Sequence, residues 1–489
     1  MTPVSRRSFL RAVGAGAGLL VLGGCSTPAR GAPVTEVALG AGEVGLDLAG
    51  TLATTWGYNG TVPGPEIRIR AGDVLRAPLR NALPEPTTIH WHGISLVNAM
   101  DGTPGLTQAP VEPGTAFAYE FVVPEAGTHW YHAHSGHQLD RGMYGALIVE
   151  PRTEELAYDR EYTVLLDDWR DGVDTSPGDG GHAGHGGGVP GGAVPGGAVP
   201  GGAVPGGGLG GYGPGTAPIA DPEPDRVSFG GRSYPLMLVN ARPPADPAVF
   251  EVRRGDRVRL RVVNVAADTG FRFAIAGHPL TVTHSDGMPV QPVTVDAIRL
   301  GMGERYDVLV DAGAPGVWQV GVQPEGKTGF GRALLRYAEA SASAAPPADA
   351  APAELDGRLL TYSDLVGAGP SEVPSTGAPD RTYAVTLRGT DIDVDGLAAD
   401  APLPVSAGES VRFTVRNDSA NWHPVHLHGH HFQLAAPGGR GPLKDTAVVP
   451  ARGGELTVDW RADNPGEWMI HCHNHYHMED GMTRTVSYR

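Results

Sequence analysis

Three stretches of the chain repeat one pattern, and this repeat constrains the fold more than any other feature of the sequence. Each contains a short alternating strand, a turn at a glycine beside an acidic residue, a second alternating strand and a final asparagine. They are residues 66–81 (EIRIRAGDVLRAPLRN), 249–264 (VFEVRRGDRVRLRVVN) and 402–417 (PLPVSAGESVRFTVRN). Alternating apolar and polar residues are typical of half-buried strands, and short strands with glycine turns favour Greek-key sandwiches. We therefore predict an all-β chain of three Greek-key β-sandwich domains.

The repeats also suggest where the domains begin and end. We place the first domain at residues 33–157, the second at 158–345 and the third at 376–489, with a linker at 346–375. Residues 174–221 contain a run in which VPGGA recurs every five residues. Such a segment buries too little side chain to offset the entropy of ordering it. We predict that it is a flexible insertion in the second domain.

The first 32 residues have the pattern of an export signal and a tether. SRRSFL (residues 5–10) carries twin arginines, and residues 12–24 are apolar but too short to span a bilayer. This pattern resembles a twin-arginine signal, and Cys25 in LGGC is placed as in the lipobox of bacterial lipoproteins. We expect an exported, extracytoplasmic protein anchored to the cell membrane by a lipid on Cys25; the alternative is a cleaved signal with an incidental cysteine. With Cys25 acylated, Cys472 has no partner for an intrachain disulfide.

The charge of the chain restricts its partners. The formal net charge is −17 at pH 7. Proteins that bind a nucleic acid backbone need clustered lysine and arginine, so this acidic excess argues against nucleic acid as a partner. We expect no membrane contact beyond the lipid anchor, and we expect a monomer.

Four His-x-His pairs are the strongest indication of chemistry. They are His90 and His92, His132 and His134, His426 and His428, and His471 and His473. Residues i and i+2 of a strand point to the same face, so each pair directs two imidazoles to one place. A structural zinc ion takes about four ligands, and eight imidazoles therefore indicate a metal cluster. Because the pairs belong to the first and third domains, we expect the middle domain to act as a spacer.

Cys472 lies between two of these histidines and should therefore face the opposite side of its strand. His477 and Met482 follow closely enough to fold back toward its sulfur, and His423 can complete the set. Two histidines, one cysteine and a weak axial methionine are the ligands of a blue-copper electron-transfer site. The alternatives are a zinc site with the same cysteine and histidines, or a cysteine that is only a small buried apolar residue.

The motifs HWHG, HWYHAH, HPVHLHGHHF and HCHNHYHMEDGM occur in this order and resemble the four copper motifs of three-domain multicopper oxidases. The sequence looks most similar to actinobacterial lipoprotein members associated with copper tolerance. This resemblance implies cupredoxin-like sandwiches and four copper ions: one type 1, one type 2 and two type 3. By the same resemblance the type 1 ligands are His423, Cys472, His477 and Met482, the type 2 ligands are His90 and His426, and the type 3 ligands are His92, His132, His134, His428, His471 and His473.

Two carboxylates are candidates for proton delivery. Asp101, in AMDG, resembles the family's acidic residue near the cluster, although Asp-Gly is also a common turn pair. The resemblance implies a glutamate directly after the second type 1 histidine, His477. This chain has Met478 at that position, and Glu479 comes one residue later. The alternative for Glu479 is an exposed carboxylate without a role in catalysis.

The resemblance implies an oxidoreductase that takes single electrons from a small reducing substrate and reduces dioxygen to water. The substrate remains open between phenols or aromatic amines and Cu(I) or Fe(II). Specialised Cu(I) oxidases often carry methionine-rich insertions, whereas the insertion here offers only His182 and His185, whose capture of copper is a further hypothesis. A copper nitrite reductase and a copper-storage lipoprotein without turnover are the alternative functions.

Overall fold

The computed structural model describes residues 31–170, 228–341, 345–369, 378–436 and 440–489. The predicted signal with Cys25 and the insertion with His182 and His185 therefore lie outside the described residues. Within the described part of the chain, no helix is long and apolar enough to cross a membrane.

The first sandwich is formed by a five-stranded and a four-stranded sheet. Its strands are β1 (Val34–Glu36), β2 (Leu39–Leu48), β3 (Thr51–Tyr58), β4 (Ile67–Arg70), β5 (Val74–Asn81), β6 (Ile89–His92), β7 (Ala116–Val122), β8 (Gly127–Ala133) and β9 (Tyr144–Glu150). The smaller sheet has the order β4-β9-β8-β6, so β6 lies at its edge beside β8. These two strands carry His90, His92 and His132.

The second sandwich is formed by a six-stranded and a five-stranded sheet. Its strands are β10 (Arg160–Trp169), β11 (Leu236–Val239), β12 (Ala248–Val252), β13 (Arg257–Asn264), β14 (Phe271–Ile275), β15 (Leu280–Ser285), β16 (Met288–Val295), β17 (Ala297–Leu300), β18 (Arg305–Asp311), β19 (Val317–Pro324) and β20 (Gly331–Tyr337). The sheet orders are β11-β10-β13-β18-β15-β16 and β12-β20-β19-β14-β17.

The third sandwich repeats the second in sheet size and order. Its strands are β21 (Arg381–Arg388), β22 (Asp391–Val394), β23 (Leu403–Val405), β24 (Ser410–Asn417), β25 (His423–Leu427), β26 (Phe432–Leu434), β27 (Leu443–Lys444), β28 (Thr446–Val449), β29 (Gly454–Arg461), β30 (Glu467–Cys472) and β31 (Thr483–Tyr488). The sheet orders are β22-β21-β24-β29-β26-β27 and β23-β31-β30-β25-β28. One short helix, α1 (His475–Glu479), follows β30 in the described chain.

The repeated sequence pattern forms strands in all three sandwiches, but its two strands do not form a hairpin. In each case the first strand lies in one sheet and the second in the other: β4 and β5, β12 and β13, β23 and β24. The final asparagines, Asn81, Asn264 and Asn417, are fully buried. Each donates two hydrogen bonds of 2.8 to 3.1 Å from its amide to backbone carbonyls and accepts one from the backbone two residues later. The asparagine thus fixes the chain where it leaves the strand.

Alternation along the strands builds the core of each sandwich. Strand β24 buries Val411, Phe413 and Val415 on one face and leaves the residues between them partly exposed. Fully burying a side chain of this size contributes about 1.5 to 3 kcal/mol. Each sandwich has an apolar cluster of this kind, and the histidine pairs of the first and third sandwiches lie where these two sandwiches meet.

The predicted linker packs against the second sandwich where it is described. Residues 353–356 and 362–364 form short 3-10 helices. The backbone N–H of Leu360 donates to the carbonyl of Ala297 at 2.9 Å, and the Tyr362 hydroxyl donates to Glu304 at 2.6 Å. This part of the linker therefore follows the surface of the second sandwich.

Candidate metal centres

Two pairs of neighbouring strands present the histidines. In the first sandwich His90 of β6 lies directly opposite His132 of β8, and His134 follows the end of β8. In the third sandwich His426 of β25 lies directly opposite His471 of β30. The spacing i, i+2 and the strand pairing together place four imidazoles on one face of each sandwich.

The two histidine faces meet and bury each other. The ring of His90 stacks on that of His428 with centroids 3.9 Å apart, and His92 stacks on His426 at 3.8 Å. The eight histidines of the four pairs are all buried, with at most 4% of each exposed. The structure therefore brings together all eight residues that the sequence singles out for the cluster.

Hydrogen bonds fix which ring nitrogen of these histidines carries a proton. Nδ1 lies 2.9 Å from a backbone carbonyl oxygen in His90, His132, His426 and His471. A carbonyl can only accept, so Nδ1 carries the hydrogen and Nε2 keeps its lone pair. These rings are therefore arranged as neutral ligands that offer Nε2.

The free nitrogens converge in an arrangement that fits a bound cation. Nε2 of His428 lies 3.0 Å from Nε2 of His471, while Nδ1 of His428 donates to the Asp101 carboxylate at 3.0 Å. Both Nε2 atoms then present lone pairs to each other, an arrangement that a metal ion between them relieves. Nε2 of His132, Nε2 of His134 and both ring nitrogens of His473 have no hydrogen-bond partner among the described residues. Unpartnered polar atoms are rare in protein interiors, so these donors fit bound metal ions.

His92 is oriented differently from its neighbours. Its Nε2 lies 3.0 Å from Oδ1 of Asp445 and 3.1 Å from the Thr446 hydroxyl, and its Nδ1 has no partner among the described residues. The carboxylate therefore selects the tautomer with the proton on Nε2 and leaves Nδ1 to bind a metal. Sequence reasoning missed Asp445, because no regular spacing connects it with the histidine pairs.

Burial keeps the cluster histidines neutral. It lowers the pKa of His134 to about 3 and lowers the pKa values of His428 and His471 well below the usual range, with neighbouring imidazoles adding to the shift for His471. The pKa of Asp101 is lowered as well, which for a carboxyl group favours the charged form. Burial alone would raise its pKa, but the adjacent His428 and His90 hold that pKa well below its usual range. The cluster thus combines neutral ligands with an anionic carboxylate beside them.

A second candidate centre lies on the other face of β30. The Cys472 sulfur is 3.4 Å from Nδ1 of His423 and 3.8 Å from Nδ1 of His477. The carbonyl of Met482 accepts a hydrogen bond of 3.0 Å from the Cys472 backbone, and the Met482 side chain is fully buried. Burial raises the pKa of the Cys472 thiol well above its usual value, so ionising this thiol depends on a bound metal cation.

Helix α1 positions His477 and separates the two proton-delivery candidates. Asn474 caps the helix, its side chain accepting from the backbone N–H groups of Tyr476 and His477. Glu479 lies exposed in the last turn of α1, and Met478 before it is buried. Asp101, in contrast, lies within 3.3 Å of Nδ1 of both His90 and His428. The structure therefore brings Asp101, but not Glu479, into the cluster.

Family comparisons decide which metal these centres take. Sequence models of the multicopper oxidase family match residues 43–154, 210–340 and 373–489, which together make up well over half of the chain. The chain is 38% identical to multicopper oxidase MmcO of Mycobacterium tuberculosis over 467 residues, covering 91% of this chain and 85% of that protein. The chain belongs to the multicopper oxidase family.

Other relatives of this multicopper oxidase agree in sequence and in fold. Copper resistance protein A of Pseudomonas syringae pv. tomato is 29% identical, with 99% of this chain and 98% of that protein covered. The crystal structure of the multicopper oxidase Fet3p matches with a TM-score of 0.72 at 20% identity, covering 93% of this chain and 90% of that chain, which shows the shared fold.

Membership in the multicopper oxidase family settles several of the predictions. The all-β fold of three cupredoxin-like sandwiches is confirmed, as is an oxidoreductase that uses dioxygen as acceptor. The family takes four copper ions, one type 1, one type 2 and two type 3, and the clusters described above could bind them. The relative from Mycobacterium tuberculosis agrees with the predicted actinobacterial resemblance. Copper storage without turnover and nitrite reduction are not favoured.

The middle sandwich of this multicopper oxidase reaches the histidine cluster, which the prediction of a spacer did not anticipate. Arg305 of β18 is fully buried and holds Asp445 through two hydrogen bonds of 2.6 and 2.7 Å. Gly303 has φ +86°, and a Cβ there would lie 3.0 Å from His473 and 3.1 Å from His92. A side chain at position 303 would press against two cluster histidines, so glycine permits the close approach.

Proposed function

We propose that the two centres hold the four copper ions of the family as the resemblance implies. The assignment is His423, Cys472, His477 and Met482 for type 1, His90 and His426 for type 2, and His92, His132, His134, His428, His471 and His473 for type 3. The convergence of unpartnered, lone-pair nitrogens in the buried cluster is the observation that carries this proposal. When bound, copper would supply one-electron oxidation of a reductant and four-electron reduction of dioxygen, which with four protons gives two water molecules.

The residues of the chain have separate parts in this reaction. Cys472 adjoins His471 and His473 in the backbone, so a short covalent path connects the two centres. Asp101 accepts hydrogen bonds from Thr103 at 2.6 Å and from His428 at 3.0 Å. We assign to the Asp101 carboxyl the movement of protons toward the oxygen atoms that are reduced in the cluster.

For the reductant we propose a small molecule or ion, a phenol or Cu(I) or Fe(II), with copper tolerance as the physiological context. The similarity to a relative named copper resistance protein A supports this context. Glu479 is exposed and follows the proposed type 1 ligand His477 by two residues, so we assign it to docking of a cationic reductant in preference to proton delivery.

A titration with copper and one set of turnover assays test the proposal. About four copper ions per chain, with dioxygen consumption once a reductant is added, are expected; about two would indicate a nitrite reductase instead. Turnover of Cu(I), Fe(II) and a methoxyphenol should be compared in one preparation, with and without residues 174–221. Absence of dioxygen consumption in fully loaded protein would overturn the enzyme assignment. Unchanged Cu(I) oxidation after the deletion would overturn copper capture by His182 and His185.

We further propose that the chain is exported by its twin-arginine segment, anchored through Cys25 and monomeric. The sequence pattern of residues 5–25 supports export and anchoring. In a host with this export system, the protein should be found in the membrane fraction, and Cys25→Ala should release it. Retention of the Cys25→Ala protein in that fraction would contradict the anchor. Light scattering of the soluble variant measures the oligomeric state.

A further inference from the structure

The buried polar network behind the type 1 centre connects two different sandwiches. Asn474, the residue that caps α1, is fully buried, and Asp268 of the second sandwich is 1% exposed. The amide of Asn474 donates to Oδ1 of Asp268 at 2.6 Å and to the carbonyl of Phe229 at 2.9 Å. A residue of the sandwich without histidine pairs thus bonds directly to the segment between Cys472 and His477.

Asn474 uses its hydrogen-bonding groups on both sides. Its Oδ1 accepts from the backbone N–H groups of Tyr476 at 3.1 Å and His477 at 3.2 Å. Its own backbone N–H faces the Cys472 sulfur at 3.4 Å. Displacing Asn474 would therefore move a donor to the sulfur and the helix that carries His477 together.

Asp268 is itself held on the side away from Asn474. Its Oδ2 accepts from Lys327 at 2.6 Å and from the backbone of Arg232 at 3.0 Å. Lys327 also donates to the carbonyl of Asp268 at 2.9 Å. Gly230 packs so closely that a Cβ there would overlap the Asp268 carboxylate. The carboxylate therefore has a fixed position against which Asn474 is aligned.

We propose that Asp268 and Asn474 are a positioning pair through which the middle sandwich sets the geometry of the type 1 copper site. The proposal rests on the proposed ligands Cys472 and His477. The pair acts through two contacts at once. One is the hydrogen bond from the backbone N–H of Asn474 to the Cys472 sulfur, and the other is the cap that the Asn474 side chain forms on the first turn of α1. Hydrogen bonds to a cysteine ligand and its polar surroundings tune a blue-copper site.

Exchanging the two side chains gives a sharp test. Asn474→Asp keeps an oxygen that caps α1 but turns a carboxylate toward Asp268, so the contact becomes repulsive. Asp268→Asn keeps an oxygen for Lys327 and is the milder second variant. In the double variant the new amide at position 268 can donate to the new carboxylate at position 474, which restores a hydrogen bond between the sandwiches.

The readouts are the type 1 absorption band and the copper hyperfine splitting in electron paramagnetic resonance, measured on copper-loaded protein. We expect Asn474→Asp to shift both, and the double variant to return both toward the parental values. Asp246→Asn, an exposed change of the same kind in the same sandwich, should shift neither. An unshifted spectrum in Asn474→Asp, or a double variant that deviates as far as Asn474→Asp, would overturn the positioning pair.

The same spectra separate this proposal from the ligand assignment. If the parental protein binds copper but has no type 1 band, the assignment of Cys472 and His477 fails, whatever the variants do. If Asn474→Asp does not fold, Asp268→Asn decides the outcome, because it lacks the facing carboxylates. A shifted type 1 spectrum in folded Asp268→Asn, with cluster copper unchanged, supports the pair, and an unshifted one overturns it.

Discussion

At the level of single residues, two kinds of contact orient the cluster histidines. Backbone carbonyls fix Nδ1 of His90, His132, His426 and His471. Side-chain carboxylates orient two further histidine rings: Asp101 holds His428, and Asp445 holds His92. A substitution can remove a side-chain carboxylate but not a backbone carbonyl. Asp101 and Asp445 are therefore the residues at which the orientation of the histidines can be tested without changing a histidine.

Asp101→Asn is the first of these tests. The new amide keeps an oxygen that can accept from Nδ1 of His428 but cannot act as an acid or a base near neutral pH. Steady-state dioxygen consumption should fall about 100-fold or more, the usual contribution of a positioned acid or base. Copper content and the type 1 band should stay as they are. Dioxygen consumption equal to that of the exposed control Asp391→Asn would contradict the proton role.

At the level of elements, strand alternation explains what the sequence could and could not predict. The i, i+2 rule sends Cys472 and the flanking His471 and His473 to opposite faces of one strand segment, and the structure shows this arrangement. The same alternation does not reveal which sheet a strand joins, so each repeat could be identified as two successive strands but not as a crossing between sheets.

Contacts between sandwiches were beyond prediction from one sequence. Asp445, Arg305 and the link from Asp268 to Asn474 leave no periodic signal, because each partner comes from a distant part of the chain. The histidine pairs were predictable because both members lie in one strand or in the residue directly after it. The convergence of the histidine pairs could thus be predicted from the sequence, whereas Asp445 and Arg305, which orient His92, required the structure.

The exposed end of α1 gives a prediction about the reductant. Glu479 is exposed at the end of α1, two residues after the proposed type 1 ligand His477. Glu479→Gln should raise KM for Cu(I) several-fold and leave KM for a neutral methoxyphenol unchanged, because only a cation is attracted by the carboxylate. The effect should shrink with added salt, which screens exposed charges. Equal changes in KM for both substrates would contradict a docking role. Glu455→Gln, at an exposed position of β29, is the control.

At the level of the whole molecule, buried charges join the second and third sandwiches. Arg305 of the second sandwich holds Asp445 of the third, and Asp286 of the second accepts from Lys444 at 3.1 Å. All four side chains are fully buried. A buried ion pair that loses one partner leaves a charge without compensation, which costs about 3 to 5 kcal/mol. The middle sandwich therefore acts as a clamp on the cluster.

Arg305→Lys tests this clamp. Lysine keeps the charge but cannot form the two parallel hydrogen bonds to Asp445, so the orientation of His92 should loosen. We expect copper affinity of the cluster to fall about 10-fold to 100-fold, as for other residues that orient metal ligands. Copper retained per chain during titration with a chelator measures this, and the type 1 band should be unaffected. If Arg305→Lys retained as much copper as the exposed control Arg257→Lys, the role of Arg305 in orienting the cluster would be contradicted.

The contact between the first and second sandwiches predicts a dependence on pH. Asp307 accepts from Thr128 at 2.6 Å and from Arg259 at 2.5 Å. Burial opposes ionisation, but Arg259 and Arg261 hold the pKa of Asp307 well below its usual range. A depressed folded-state pKa gives stability that is present above the unfolded value of about 3.9 and is lost as the pH falls below it.

Unfolding measurements between pH 5 and 3 check this dependence. The free energy of unfolding should decline more steeply with falling pH for the parental protein than for Asp307→Asn, which has no carboxyl to protonate there. The variant should also be less stable at neutral pH. Parallel slopes for the two proteins would show that Asp307 does not contribute to acid sensitivity.

The division of the cluster between two sandwiches also sets an order of events during synthesis. His90 and His426 are separated by 336 residues, and their Nε2 atoms lie 3.4 Å apart. A ribosome that has released only the first two sandwiches has therefore made half of the cluster ligands and has no closed cavity to receive a metal. Copper delivery has to act on the finished chain, and a donor that arrives earlier meets only an open row of imidazoles.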